Sequence, residues 1–142
     1  HDNNDFIKIF NPGSVAQDIS RWKLRKRTQT QTDYTSIRVF PDGSRIEAKG
    51  YFLWANSDEG FSASINANVS SIQYIAADNS IALLKSDGTL VDALAWGSGH
   101  TNPFVEGAAY PENPGGGQKL IRKSDGSSLK DTDVNADDFE LR

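Results

Sequence analysis

The sequence contains no cysteine and no methionine in 142 residues. Without cysteine there are no disulfides and no thiolate metal sites, an economy compatible with a reducing or an oxidising compartment. Histidine is nearly as scarce, with only His1 and His100. A zinc centre built from nitrogen and sulfur ligands is therefore excluded. No stretch approaches the roughly 18 apolar residues of a membrane-spanning helix. Nor does the opening, His1-Asp2-Asn3-Asn4-Asp5, carry the apolar run of a signal peptide, and it suggests a piece of a longer protein. There is no solenoid-length repeat and no low-complexity linker.

What remains has the composition of an ordinary globular domain, 37% hydrophobic and 24% charged. Its length suits one domain over residues 1–142, large enough to fold on core packing alone. The net charge of −4 conceals an asymmetry. Residues 1–50 hold nine Lys/Arg against six Asp/Glu (+3), and residues 51–142 hold six against thirteen (−7). The acidic majority argues against general polyanion binding and leaves room for one basic patch.

Turn chemistry punctuates the chain at Asn11-Pro12-Gly13, Asp42-Gly43, Asp58-Glu59-Gly60, Asp87-Gly88, Asn113-Pro114-Gly115 and Asp125-Gly126. Between these lie short aromatic and β-branched segments: Phe6–Phe10, Trp22–Arg25, Ile37–Phe40, Tyr51–Ala55, Ile81–Lys85, Leu90–Trp96 and Gln118–Arg122. Each has the length of a strand and none carries a helical stripe. Alternation puts Ile7, Ile9, Trp22, Leu24, Ile37 and Val39 inward, with Lys8, Lys23, Arg25 and Arg38 facing water. Ile81–Lys85 and Leu90–Trp96 read as a hairpin across Ser86-Asp87-Gly88-Thr89, the second strand central and buried on both faces. Residues 61–77 read as a loop with a short helical turn, and residues 99–117 as a long surface loop. The pattern predicts an all-β sandwich or barrel.

Several segments in order resemble one family. Asp5-Phe6-Ile7-Lys8-Ile9-Phe10-Asn11-Pro12-Gly13 is similar to its opening strand and turn, and Asp18-Ile19-Ser20-Arg21-Trp22-Lys23-Leu24 to its D-L-S-G-W-x-L segment. Phe40-Pro41-Asp42-Gly43, with Ile46 and Gly50-Tyr51, resembles F-P-D-G … I-x-x-G-x-Y. Ile81–Leu84, Gly88, Val91-Asp92 and Trp96-Gly97 are similar to the hairpin that follows, and Asp131–Phe139 to the closing segment. The chain thus resembles the lamin-tail domains. The resemblance implies an immunoglobulin-like β-sandwich, a non-catalytic binding or attachment module, and a protein or cell-envelope partner. The Asp/Asn/Gly-rich turns look more like the bacterial branch, so the expected setting is a larger secreted or cell-surface protein, with an intracellular one as the alternative.

Two departures stand out. Position 21 is Arg where the pattern has Gly, so this turn must avoid a left-handed backbone or bear the strain of one. The family also begins with a strand before the one at Phe6, and only five residues precede it here. An edge left unpaired would invite a second chain, and a homodimer through it is one expectation.

Chemistry-bearing residues are few. His100 lies in Gly97-Ser98-Gly99-His100, which is no nucleophile elbow, and reads as an exposed loop histidine. Gly115-Gly116-Gly117 precedes a strand pattern rather than the helix a phosphate cradle needs. No carboxylate pair is singled out for hydrolysis. Asp131, Asp133, Asn135 and Asp137 alternate as an EF-hand loop begins, but Ala136 and Arg142 stand where its Gly and Glu belong. An Asx-rich turn is preferred there over a calcium site. Arg21, Lys23, Arg25, Lys26 and Arg27 surround Trp22. Lys23 and Arg25 would share an outward face, Lys26-Arg27 would begin a loop, and Arg38 and Arg45 would join if their strand pairs alongside. A solvated sheet face is the plain reading of this patch; DNA or another polyanion is the alternative.

Overall fold

A computed structural model describes residues 4–142. In chain order the strands are β1 (Phe6–Phe10), β2 (Gln17–Asp18), β3 (Lys23–Thr28), β4 (Thr35–Val39), β5 (Arg45–Ile46) and β6 (Tyr51–Asn56). A 3-10 turn at Asp58–Gly60 and the short helix α1 (Phe61–Ser64) follow. Then come β7 (Val69–Ser71), β8 (Asn79–Leu84), β9 (Leu90–Ala95), β10 (Leu120–Arg122), β11 (Ser124–Asp125), β12 (Ser128–Leu129), α2 (Asn135–Asp138) and β13 (Phe139–Leu141).

Two sheets form the sandwich, one ordered β1-β6-β7 and the other β4-β3-β8-β9. Their inner faces enclose Ile19, Leu24, Ile37, Phe40, Ile46, Phe52, Trp54 and Val69, with Ile7, Ile9, Trp22, Ile81 and Leu83 packed at the margins. Register explains the selection: Ile7 faces Trp54 and Ile9 faces Phe52 across β1–β6. Period-2 alternation then sends all four inward. Trp54 is fully buried, and its indole Nε1 donates to Ser71 Oγ at 3.1 Å. Ser71 Oγ in turn donates to the Ile37 carbonyl at 2.8 Å, so one indole hydrogen bond continues from β6 through β7 to β4. This is a β-sandwich, one of the two all-β architectures expected from the strand pattern and the one that the family resemblance implies in its immunoglobulin-like form.

The structure departs from the sequence pattern at β3, β9 and Val39. The ladder of β3 runs past Arg25 to Thr28, because Lys26, Arg27 and Thr28 pair with Ile81, Ser80 and Asn79 of β8. Lys26 and Arg27 are therefore strand residues and not the start of a loop. β9 ends its sheet rather than lying centrally, and Leu90 and Val91 are exposed at 49% and 41%. Val39 is also exposed, at 49%, because the β3–β4 register shifts between Leu24 and Arg25. The shift leaves Ile37 and Phe40 as the residues of this segment that enter the core.

Beyond Trp96 the chain wraps the end of the β4-β3-β8-β9 sheet. The free edge of β9 is closed twice. Tyr110 N–H donates to the Ala95 carbonyl at 2.9 Å while Gly97 N–H donates to the Tyr110 carbonyl at 2.8 Å. The Asn135 side chain accepts from Ala95 N–H at 3.0 Å and donates to the Ala93 carbonyl at 2.8 Å. Phe104 covers a small apolar cluster of Ala82, Leu84 and Ala93 on the other face of the sheet. Gly97 has φ +82, and a Cβ there would meet Asp78 Oδ1 at 2.2 Å, so this corner requires glycine.

Candidate interaction surfaces

The first surface is the open edge of β1. Asn56 N–H donates to the Asp5 carbonyl and Asn11 N–H to the Gly50 carbonyl, so residues 5, 7, 9 and 11 turn their backbone groups toward β6. By the same alternation the N–H and C=O of Phe6, Lys8 and Phe10 point the other way. No strand among the described residues lies there. The outer face beside this edge is aromatic. Phe6 is 41% and Tyr51 57% exposed, the Phe10 and Tyr51 rings are 5.0 Å apart, and Lys8 Nζ sits 4.2 Å above the Tyr51 ring.

The second surface is basic. The five cations at positions 21–27 do not act as one group. Arg21 has φ +60, so it adopts the left-handed backbone that glycine takes without strain. Its side chain is tied to Asp42 through Nε and Nη2, both at 2.7 Å, which largely cancels its charge locally. Lys26 is only 8% exposed and points to the opposite face from its neighbours. Its Nζ donates to the Tyr74 carbonyl at 2.5 Å and lies 4.5 Å from the Tyr74 ring centroid. Burial lowers its pKa, opposed by the charge of Asp5. Asp5, raised by burial and partly offset by the Ile75 N–H it accepts at 2.6 Å, completes this inward polar contact.

Lys23, Arg25 and Arg27 remain on one face, opposite Leu84, Ala82 and Ser80 of β8. Arg25 stacks on Tyr34 with 3.7 Å to the ring centroid, and Arg27 on Phe104 with 4.5 Å. Arg38 lies on β4 opposite Leu24, whereas Arg45 sits on β5 and pairs with Glu47 at 2.8 Å. Arg21, Arg45, Arg122 and Arg142 each have a carboxylate within 4.0 Å. The other three of the seven arginines are Arg25, Arg27 and Arg38, all on the β3–β4 hairpin, and no described carboxylate pairs with them.

The third surface is an acidic corner. Glu106, Asp131 and Asp133 bring carboxylate oxygens within 4.8 Å of one another. Burial, then the charges of Asp92 and Asp131, raise the Glu106 pKa from 4.5 to about 7, with Arg122 opposing. Glu106 Oε2 is enclosed without a hydrogen-bond partner. The grouping differs from the alternating series in the sequence. Asn135 Oδ1 is occupied by Ala95 N–H and by Glu106 N–H at 3.3 Å, so this residue faces the β9 edge and not the carboxylates. Glu106 takes its place, from a loop 25 residues upstream of Asp131, and sequence spacing offered no sign of that. Asp138, fully buried, accepts from Thr132 N–H and Oγ1 at 2.8 and 2.7 Å. Burial alone would raise its pKa, but these bonds and Arg122 lower it.

His100 is half-buried rather than exposed, with Nε2 2.8 Å from the Trp96 carbonyl and an enclosed Nδ1 without a partner. A shallow open depression bounded by Ala16, Asp18, Gly43, Ser44 and Arg45 lies by the β2–β5 pair.

No helix among the described residues is long and apolar enough to cross a membrane. No curated protein matches the sequence. A family model described as Lamin Tail Domain matches residues 1–98, the stretch that builds both sheets of the sandwich. The likeness of the closing segment Asp131–Phe139 falls outside that match. With more than two thirds of its length matched, the chain belongs to the lamin tail domain family, whose members are immunoglobulin-like protein-interaction modules.

Proposed function

We propose that this domain is a non-catalytic attachment module of a larger secreted or surface-associated protein, and that it engages its protein partner by strand addition at β1. The observation that carries the reading is the outward row of backbone N–H and C=O groups on Phe6, Lys8 and Phe10. Strand addition draws affinity from such a row and specificity from alternate side chains. Phe6, Phe10 and Tyr51 supply the apolar positions, and Lys8 favours an acidic residue opposite it. A second copy can also add here. Antiparallel self-pairing centred on Lys8 sets two lysines opposite each other, so such a dimer strengthens as salt rises.

The test is light scattering on size-fractionated protein at low and high salt, with Lys8→Pro beside the wild type. The Lys8 N–H points away from β6, so proline removes an edge donor and leaves the β1–β6 ladder in place. A salt-strengthened dimer that is lost in Lys8→Pro supports edge pairing. A dimer that survives the substitution places the contact elsewhere. A monomer throughout removes self-pairing and leaves a different protein as the partner.

A second reading is nucleic-acid or polyanion binding by the β3–β4 hairpin. It is favoured by Arg25 and Arg27, two arginines without a carboxylate partner, which share one face of β3 with Lys23. Lys23, Arg25 and Arg27 would carry it, while Arg21 and Lys26 would not.

A further inference from the structure

Resting on that second reading, we infer that the Lys23–Arg25–Arg27 stripe selects a single-stranded nucleic acid over a duplex. Two features support this. The first is spacing. Residues two apart on one face of a strand recur about every 6.7 Å, which is close to the separation of successive phosphates along an extended polynucleotide. Three cations in a straight row on β3 therefore match three consecutive phosphates of one strand. The second is the presence of rings among the cations. Arg25 lies on Tyr34, itself 40% exposed, and Arg27 lies on Phe104. Flat guanidinium and phenol faces are what unpaired bases stack on, and paired bases do not present theirs.

The acidic corner does not enter this contact: Asp92 pairs with Leu83, which pairs with the core residue Leu24, so Asp92 lies on the sheet face opposite the stripe. The net charge of −4 penalises a duplex, the more highly charged ligand, more than a single strand.

The experiment is fluorescence anisotropy with a labelled 12-nucleotide oligo(dT), the duplex of the same strand with oligo(dA), heparin, and poly-glutamate. The wild type is compared with Lys23→Gln/Arg25→Gln, with Arg25→Lys, and with Arg21→Gly as an outside control. Arg27 is left intact because it covers Phe104, and a thermal melt checks that each variant is folded. The expected result is oligo(dT) binding at least tenfold tighter than the duplex. Three phosphate contacts give a slope near −2 in log K against log salt, about a twentyfold loss from 50 to 200 mM. Binding falls at least tenfold in the double variant, falls less in Arg25→Lys, and is unchanged in Arg21→Gly. Duplex binding as tight as oligo(dT) overturns the strand selectivity and leaves the polyanion reading standing. Heparin or poly-glutamate binding more tightly than oligo(dT) also overturns it, by replacing nucleic acid with another polymer. If none of the four binds, the polyanion reading falls with it.

Discussion

The chain divides into two regions that hold together by different means. Up to Trp96 the interior is mainly apolar: Trp54, Phe40, Phe52, Ile19 and Leu24 fill the space between two sheets, and the polar residues Lys26, Asn56, Asn79 and Ser80 are buried beside them. From Gly97 onward only one apolar side chain, Phe139, is buried, and the pins are polar. Asn135 closes the edge of β9, Asp138 caps the Thr132 turn, and Arg122 joins Asp92, Asp131 and Asp138 while its guanidinium lies 4.5 Å from the Phe139 ring centroid. The family match ends at residue 98, close to this junction. Apolar packing tolerates substitution of one hydrophobic residue for another if volume is kept. A buried amide or carboxylate has few substitutes, because the groups it satisfies are left without partners in its absence.

Cutting into each region tests the contrast. Trp54→Ala should have the largest effect, about 4 kcal/mol, seen in chemical denaturation as a loss spread over the whole domain. Asn135→Ala should cost about 2–3 kcal/mol by leaving backbone groups of Ala93, Ala95 and Glu106 unsatisfied. Its signature is regional: faster amide exchange in β9 and residues 106–141, with β1 and β6 unaltered. Equal loss of protection in both sheets would show that the two regions unfold as one unit.

Glu106 gives the next effect, through pH. Its folded pKa of about 7 lies above its ordinary 4.5, so the folded state holds the proton more tightly. Stability should therefore fall as pH rises from about 4.5 through about 7 and level off above. Glu106→Gln should flatten that fall, matching the wild type near pH 4 and exceeding it near pH 8. Calcium sharpens the same measurement. If the carboxylates of Glu106, Asp131 and Asp133 close on a cation, millimolar calcium raises the melting temperature at pH 8 in the wild type and not in Glu106→Gln. No shift leaves a carboxylate cluster strained by burial and mutual repulsion.

The smallest effect belongs to Arg21→Gly. Glycine relieves the left-handed backbone, while the exposed contact to Asp42 that is lost contributes little. A slight rise in melting temperature is expected. A fall would mean that the Asp42 contact outweighs the backbone strain.

The legible and illegible parts of the sequence follow this division only in part. Phe6–Phe10 was readable to the residue because Ile7 and Ile9 alternate against polar or exposed neighbours and Asn-Pro-Gly ends the run. The β8–β9 hairpin was readable from its alternation and its Asp87-Gly88 turn, although its position at the end of the sheet was not. The burial of Lys26 is hidden from the sequence for a physical reason. A lysine in a charged run gives no sign that Tyr74 and Asp5, each far away in sequence, will receive its ammonium group on the inner face. The acidic corner is half legible: the alternating series marks Asp131 and Asp133, nothing in the sequence marks Glu106, and Asn135 of the series faces the β9 edge instead.

Local pattern by itself determined most of the longer strands, the turns and the all-β class of this protein, because side-chain alternation and turn residues act within a few positions of one another, while the immunoglobulin-like form followed from the family resemblance. Only the tertiary structure decided which cations lie together on a face, which carboxylates meet, and which edge is left open. Those outcomes depend on pairing between segments tens of residues apart, and a one-residue change of register reverses the face on which a side chain falls.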